Sequence, residues 1–261
     1  MKKLAYLIIL LLFVPTIVFA SSFDITADKV ILYNLNDDTI LYEQNSNEQT
    51  NIASLTKIMT ALVAIENIDD YDEYVTITAK DFEGTNGYSK AGFSIGDQVT
   101  YRDLLYGILL PSGADAVNAI VNNTLGYDAF IDAMNNKAQE IGLENTSFSN
   151  PVGKDATDNY STASDIAKLL KYALQNELFK EIFTTKEYIT SNGLNLECTL
   201  YPYKDILDID MIDGSKSGFT RGAGRCLASI TTLNGVDYLL VVIHSTTDQN
   251  YSAVLDSITI Y

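Results

Sequence analysis

The chain has 261 residues, with 17 Lys+Arg against 34 Asp+Glu and a formal net charge of −17. Phosphate backbones are bound through clustered basic side chains, so a chain this acidic excludes nucleic acid as a partner. Its 47% hydrophobic and 20% charged residues describe a globular protein rather than a disordered one.

In chain order, Lys2 and Lys3 precede an apolar run from Leu4 to Phe19 that closes at Val18-Phe19-Ala20 before Ser21-Ser22. That order predicts a secretory signal over residues 1–20, cleaved after Ala20, and an extracytoplasmic mature chain over residues 21–261. The alternative is an uncleaved N-terminal segment that attaches the protein to a membrane, since the run is nearly long enough to span one. No cysteine follows the run, so no lipoprotein anchor is expected.

Lys29–Asn34 and Thr39–Tyr42 flank the turn-forming Leu35-Asn36-Asp37-Asp38 and predict a β-hairpin. From Ser54 the period becomes helical, with Leu55, Ile58, Met59, Leu62 and Ile65 on an almost uncharged segment, as in a helix buried in the core. Thr100 and Asp103 form a capping-box pattern that opens a helix over Tyr101–Leu110, stopped by Pro111. Further helices are predicted over Asp115–Asn123, Tyr127–Ile141 before Gly142, and Thr162–Gln175. Strands return at Met211–Thr220, Arg225–Leu233 and Val236–Ser245, the last two joined by the type I′ signal Asn234-Gly235, and Tyr251–Tyr261 reads as a closing helix on the sheet. No repeat or linker interrupts the mature chain, so it reads as one domain. The fold class is α+β, an antiparallel sheet built from both chain ends with a helical region inserted between them.

Cys198 and Cys226 are the only cysteines and His244 the only histidine. A disulfide scaffold, a Cys- or His-rich metal site and a Ser-His-Asp triad are thereby excluded; whether the two cysteines are bridged or free is left open by their spacing. Nucleophilic chemistry here must use a base other than imidazole. His244 on a strand reads as structural, and the acidic stretch from Asp69 to Glu73 as a solvated loop face.

Ser54-Leu55-Thr56-Lys57 supplies such a base. Residues three apart share a helix face, so the Lys57 amine can reach the Ser54 hydroxyl, and a neutral amine can take its proton. The start of a helix also offers free N–H groups and a positive dipole end to an oxyanion. Two further elements stand in order along the chain: Pro111-Ser112-Gly113 between two helices, and Asp213-Gly214-Ser215-Lys216-Ser217-Gly218 entering a strand. Each alone reads as a cap or a strand edge. Together they match the set Ser-x-x-Lys, Ser-x-Asn and Lys-Thr/Ser-Gly.

With these motifs the sequence resembles the low-molecular-mass penicillin-binding proteins, specifically the serine D-alanyl-D-alanine carboxypeptidases of the S11 peptidase type. The likeness extends to Asn51–Leu62, Asp103–Gly113 and the stretch from Asn150-Pro151-Val152-Gly153 to Tyr160-Ser161-Thr162-Ala163, and covers roughly Ile25 to Ser245. It implies a transpeptidase/β-lactamase-like fold and no cofactor. The substrate it implies is a peptidoglycan stem peptide that loses its terminal D-Ala, with β-lactam antibiotics as covalent inhibitors and a secreted or wall-associated bacterial setting. In that scheme Ser54 is the nucleophile, Lys57 its base and Ser112 a proton relay. Lys216, with Ser217 and Gly218, holds the terminal carboxylate, and the N–H groups of Ser54 and Phe219 form the oxyanion hole. Lys57 is expected to be partly neutral through repulsion from Lys216 and through burial, with acidic residues held away.

Two departures from the family pattern stand out. Ala114 replaces the asparagine of Ser-Gly-Asn, with Asn118 one turn further on, and Ser217 replaces a threonine but keeps the hydroxyl. The chain also stops at Tyr261, without the second β-rich domain and membrane helix of many members, so only a catalytic domain is expected. A D,D-endopeptidase acting on cross-linked peptides, or a wall-peptide or β-lactam-binding pseudoenzyme weakened at Ala114, are the alternative readings.

Overall fold

The computed structural model describes residues 23–246 and 249–261; the signal expected over residues 1–20 lies outside the described residues. The first hairpin forms as expected, β1 (Ala27–Asn34) pairing antiparallel with β2 (Thr39–Gln44). Asn34 and Asp37 side chains accept the backbone N–H groups of Asn36 and Thr39, which is why this cluster turns.

A 3₁₀ turn, Ala53–Leu55, leads into α1 (Thr56–Glu66). Every residue of α1 from Thr56 to Ile65 is buried, so it runs through the core as a central helix. Around it come α2 (Tyr101–Leu109), α3 (Ala114–Asn123), α4 (Tyr127–Ile141), α5 (Ala163–Ala173) and α6 (Glu177–Thr184), each with a contact to α1. The predicted capping box is present at α2: Thr100 N–H donates to Asp103 Oδ2 at 2.9 Å and Asp103 N–H to Thr100 Oγ1 at 3.1 Å. Gly142 ends α4 in the left-handed region at φ 79°, and Thr162 caps α5.

Two short ladders flank the helices, β3 (Tyr74–Thr76) with β4 (Gln98–Thr100), and β5 (Glu187–Ile189) with β6 (Asn195–Glu197). The last three strands are β7 (Gly214–Thr220), β8 (Gly224–Leu233) and β9 (Val236–Ser245), and the main sheet has the order β2-β1-β9-β8-β7. Ala27 pairs with Ser245, so strands from the two chain ends lie side by side with the helical region between them in sequence. Asn234 and Gly235 adopt φ 53° and 80°, the double left-handed geometry of the predicted hairpin. Five successive β9 residues, Leu239–Ile243, are fully buried, so both faces of the strand are covered; α5 and the final helix α7 (Ser252–Ile260) pack against it.

Three features differ from expectation. The strand expected from Met211 begins at Gly214, because Ile209–Met211 closes a 3₁₀ turn in an aspartate-rich stretch. Helix α6 was not expected, although Asn176, whose side chain accepts Phe179 N–H, and the spacing of Phe179, Ile182 and Phe183 both signal it. The two short ladders have three residues a side, too few for alternation to register. Cys198 and Cys226 are both buried free thiols. Among the described residues no helix is long and apolar enough to cross a membrane.

One turn decides where α1 begins relative to the rest. Asn150 Oδ1 accepts the N–H groups of Gly153 and Lys154, both at 2.8 Å, and its Nδ2 donates to Lys154 O. The turn offers Pro151 O to Thr60 Oγ1 at 2.7 Å. Gly153, at φ 87°, lies so close to the Ser54 turn that a Cβ would meet Ala53 O at 1.9 Å. Gly153→Ala is therefore expected to destabilise the protein by about 2 kcal/mol or more and to lower its melting temperature by about 5 °C or more; calorimetry showing an unchanged midpoint would contradict this packing.

Candidate active site

Ser54 sits in the 3₁₀ turn rather than in α1, directly after Ala53, which is held at φ 47°. A non-glycine residue in that region is strained, and the strain turns the serine out of the line of the helix. Lys57 Nζ donates to Ser54 Oγ at 3.0 Å and to Val152 O at 2.8 Å. The lysine side chain is almost completely buried, with only 1% of the residue exposed. Burial lowers the amine from its ordinary 10.5 to about 7, against an opposing pull from the Asp115 carboxylate. That difference corresponds to a destabilisation of the charged form, relative to an amine in water, on the order of 5 kcal/mol.

Asp115 corrects the expectation that acidic groups are held away. Its carboxylate, fully buried at the start of α3, accepts Ala91 N–H at 2.7 Å and Gly92 N–H at 3.2 Å, and this demand fixes it near Lys57. The first cause of the Lys57 shift is also burial rather than repulsion. Repulsion is expressed at Lys216, which is fully buried and lowered well below 10.5, by burial first and by the Lys57 charge second. Lys216 Nζ donates to Ser217 O at 2.8 Å.

Ser112 lies between α2 and α3 at φ 66°, 3% exposed, and its Oγ has no hydrogen-bond partner among the described residues. Gly113 beside it admits no side chain, since a Cβ would come within 2.7 Å of Ala91 N and of Asp115 Oδ1. Ala114 N–H donates to Ser89 O at 2.8 Å, which brings the Gly87–Ser89 loop to the same place. Asn118 does not replace the missing asparagine: its amide donates to Asp81 O and Glu83 O, away from Ser112.

Strand β7 closes the other side. A Cβ on Gly218 would lie 2.9 Å from Ser54 N, so the bare glycine lets the strand run against the serine turn and sets Phe219 next in line. Ser217 Oγ donates to Thr199 Oγ1 at 2.6 Å. A cleft of about 440 Å³ joins the segments, lined by Ser54, Ser112, Ser217, Gly218 and Phe219 together with Tyr88, Thr199, Arg225 and Asn250. The three motifs read from the sequence thus converge on one cleft, with Lys57 and Lys216 buried and absent from its lining. His244 is half-buried on β9 and does not line it. Among the described residues no group of three or more His, Cys, Asp or Glu is placed to hold a metal ion.

The family model for D-alanyl-D-alanine carboxypeptidases, Peptidase S11, matches residues 16–247. The chain belongs to the S11 peptidase family. Among curated S11 relatives, it is 31% identical to the D-alanyl-D-alanine carboxypeptidase DacF of Bacillus subtilis over 87% of this chain and 59% of that one. It is also 31% identical to the D-alanyl-D-alanine endopeptidase of Escherichia coli, over 85% of this chain and 73% of that one. The structure superposes on the crystal structure of the Streptomyces K15 DD-transpeptidase with a TM-score of 0.77 at 29% identity, covering 90% of this chain and 95% of that one. The chain spans only about three-fifths of DacF.

Sequence reasoning about this S11 site missed Val152, Asp115, Thr199, Arg225 and Asn250. Val152 acts through a backbone carbonyl, which no side-chain pattern reports; Asp115 follows Ser112-Gly113-Ala114 directly, and only its burial reveals its charge effect. The Lys57 amine is expected to titrate near pH 7, followed by NMR of its Cε methylene. Below that pH it carries a proton and cannot accept one; Asp115→Asn removes the opposing charge and moves the midpoint lower, whereas titration near 10.5 would contradict the burial.

Proposed function

We propose that this protein is a serine D,D-carboxypeptidase that removes the terminal D-Ala from peptidoglycan stem peptides. The observation that carries the reading is the buried Lys57 amine, held 3.0 Å from Ser54 Oγ and shifted to about 7. In that state it is a base poised at working pH. Ser54 Oγ attacks the penultimate D-Ala carbonyl as Lys57 takes its proton, forming an ester and releasing D-Ala; water then hydrolyses the ester. The oxyanion is assigned to the N–H groups of Ser54 and Phe219, a reading supported by the close approach of Gly218 to the Ser54 amide. Ser112 Oγ, at the cleft wall and without a hydrogen-bond partner among the described residues, is positioned to pass a proton to the departing amine. Lys216 steadies β7 through Ser217 O, and Ser217 Oγ with Thr199 supplies hydroxyls along the substrate's path.

Residues 21–261 form the catalytic domain in this reading, exported by the leader and working in the bacterial wall, where penicillins acylate the same serine. A D,D-endopeptidase reading has the E. coli relative in its favour. A weakened, binding-only reading has Ala114 in its favour. The two are separated from the first by substrate.

Purified protein is expected to be labelled by a fluorescent penicillin and to release D-Ala from diacetyl-L-Lys-D-Ala-D-Ala, with both lost by about 10³-fold or more in Ser54→Ala and Lys57→Ala. Labelling without release would favour the binding module, and release only from cross-linked peptides the endopeptidase; no labelling and no release would refute the enzyme. Ala114→Asn, restoring an amide beside Ser112, is expected to raise kcat, and an unchanged or lower kcat would show that the position no longer needs it.

A further inference from the structure

Within this chain of −17 formal charge, the cleft is almost uncharged. Among the described residues that line it, the one charged side chain is Arg225. Lys57 and Lys216 do not reach the lining, and both are almost fully buried. A buried amine already donating to a neighbouring carbonyl is a poor anchor for an anion arriving from water, so neither lysine is suited to a free carboxylate.

Arg225 is. It stands on β8 opposite Phe219 of β7, the residue after the glycine that touches the Ser54 turn. Its guanidinium lies 4.6 Å from the centroid of the Phe219 ring, and one terminal nitrogen donates to Asn250 Oδ1. Those two contacts orient the planar group, and among the described residues Asn250 is its one hydrogen-bond partner, so of its five N–H donors the others meet no described acceptor. Among the described residues no carboxylate forms an ion pair with it.

We propose that Arg225, oriented by Phe219 and Asn250, is the specificity-determining residue that receives the free terminal carboxylate of the substrate, in place of Lys216. The inference rests on the carboxypeptidase reading and deepens it. A guanidinium takes a carboxylate through two parallel hydrogen bonds, which selects chains with a free end and sets the register of the scissile bond along β7.

The test compares the full chain with Arg225→Gln and Arg225→Lys on diacetyl-L-Lys-D-Ala-D-Ala and on the same peptide ending in a C-terminal amide. In parallel, both peptides are titrated calorimetrically into Ser54→Ala and into Ser54→Ala with Arg225→Gln. Arg225→Gln is expected to raise KM for the acid about tenfold or more with a smaller change in kcat, and to leave KM for the amide unchanged. The preference for the acid then collapses, and Arg225→Lys recovers part of it. If the preference survives in Arg225→Gln, or if acid and amide lose equally together with a lowered melting temperature, Arg225 is only a brace between β8 and the segment at Asn250 and the inference falls. A wild-type chain without turnover would instead overturn the carboxypeptidase reading, while the acid-against-amide difference in the titrations still decides Arg225.

Discussion

An ammonium group withdrawn from water must find a counter-charge or surrender its proton, and at Lys57 the surroundings favour the second. The amine stands on a helix buried on all sides, and among the described residues its hydrogen-bond partners are those the fold delivers: Ser54 Oγ and the Val152 carbonyl. Both are acceptors for a neutral amine, and neither offers the full negative charge that would hold a proton on it. Asp115 supplies a fraction of that charge from nearby, enough to oppose burial without overriding it. The buried amine is thus balanced between two effects, and the site's chemistry depends on that balance.

Holding this arrangement requires three distant segments to approach one another more closely than side chains normally permit. The approach is made at glycines: Gly153 against Ala53, Gly218 against the Ser54 amide, and Gly113 against Ala91 and Asp115. Where no glycine stands, the backbone is strained instead, at Ala53 and Ser112, both with positive φ. Strain of this kind persists only when surrounding contacts over-determine it, and here those contacts are the Asn150 turn on one side and the edge of the sheet on the other. Two of the positive-φ non-glycine residues, Ala53 and Ser112, thus stand where a serine is presented to the cleft and a lysine kept from it.

Charge is distributed accordingly. The acidic side chains that dominate the composition are largely exposed, as at Asp69, Asp70, Asp72 and Glu73, while the cleft is lined by hydroxyls, amides, apolar groups and one guanidinium. With a single charged side chain on the cleft wall, the field at Lys57 is set by a few buried groups rather than by the acidic surface. Asp103 illustrates the same rule away from the site: its buried carboxylate accepts from Thr100, Tyr188 and Ser191, so its charge is spent on joining α2 to the segment around β5.

Much of this was legible from one dimension. The period change at Ser54, the Thr100–Asp103 cap, Gly142 and Asn234-Gly235 determined most element types and several boundaries, because capping, turn chemistry and periodicity are local. The serine–lysine pair was legible for the same reason, three residues lying on one turn. Short ladders escaped because three residues carry no period, and the start of β7 because an aspartate-rich approach folds as a turn. What only the tertiary structure decided is electrostatic and contextual: which lysines are sealed from water, that Asp115 rather than Lys216 modulates Lys57, that Asn118 is engaged elsewhere, and that Arg225 is the cation facing the cleft. These depend on distances between segments far apart in the chain, and burial and Coulomb interactions follow those distances rather than residue spacing.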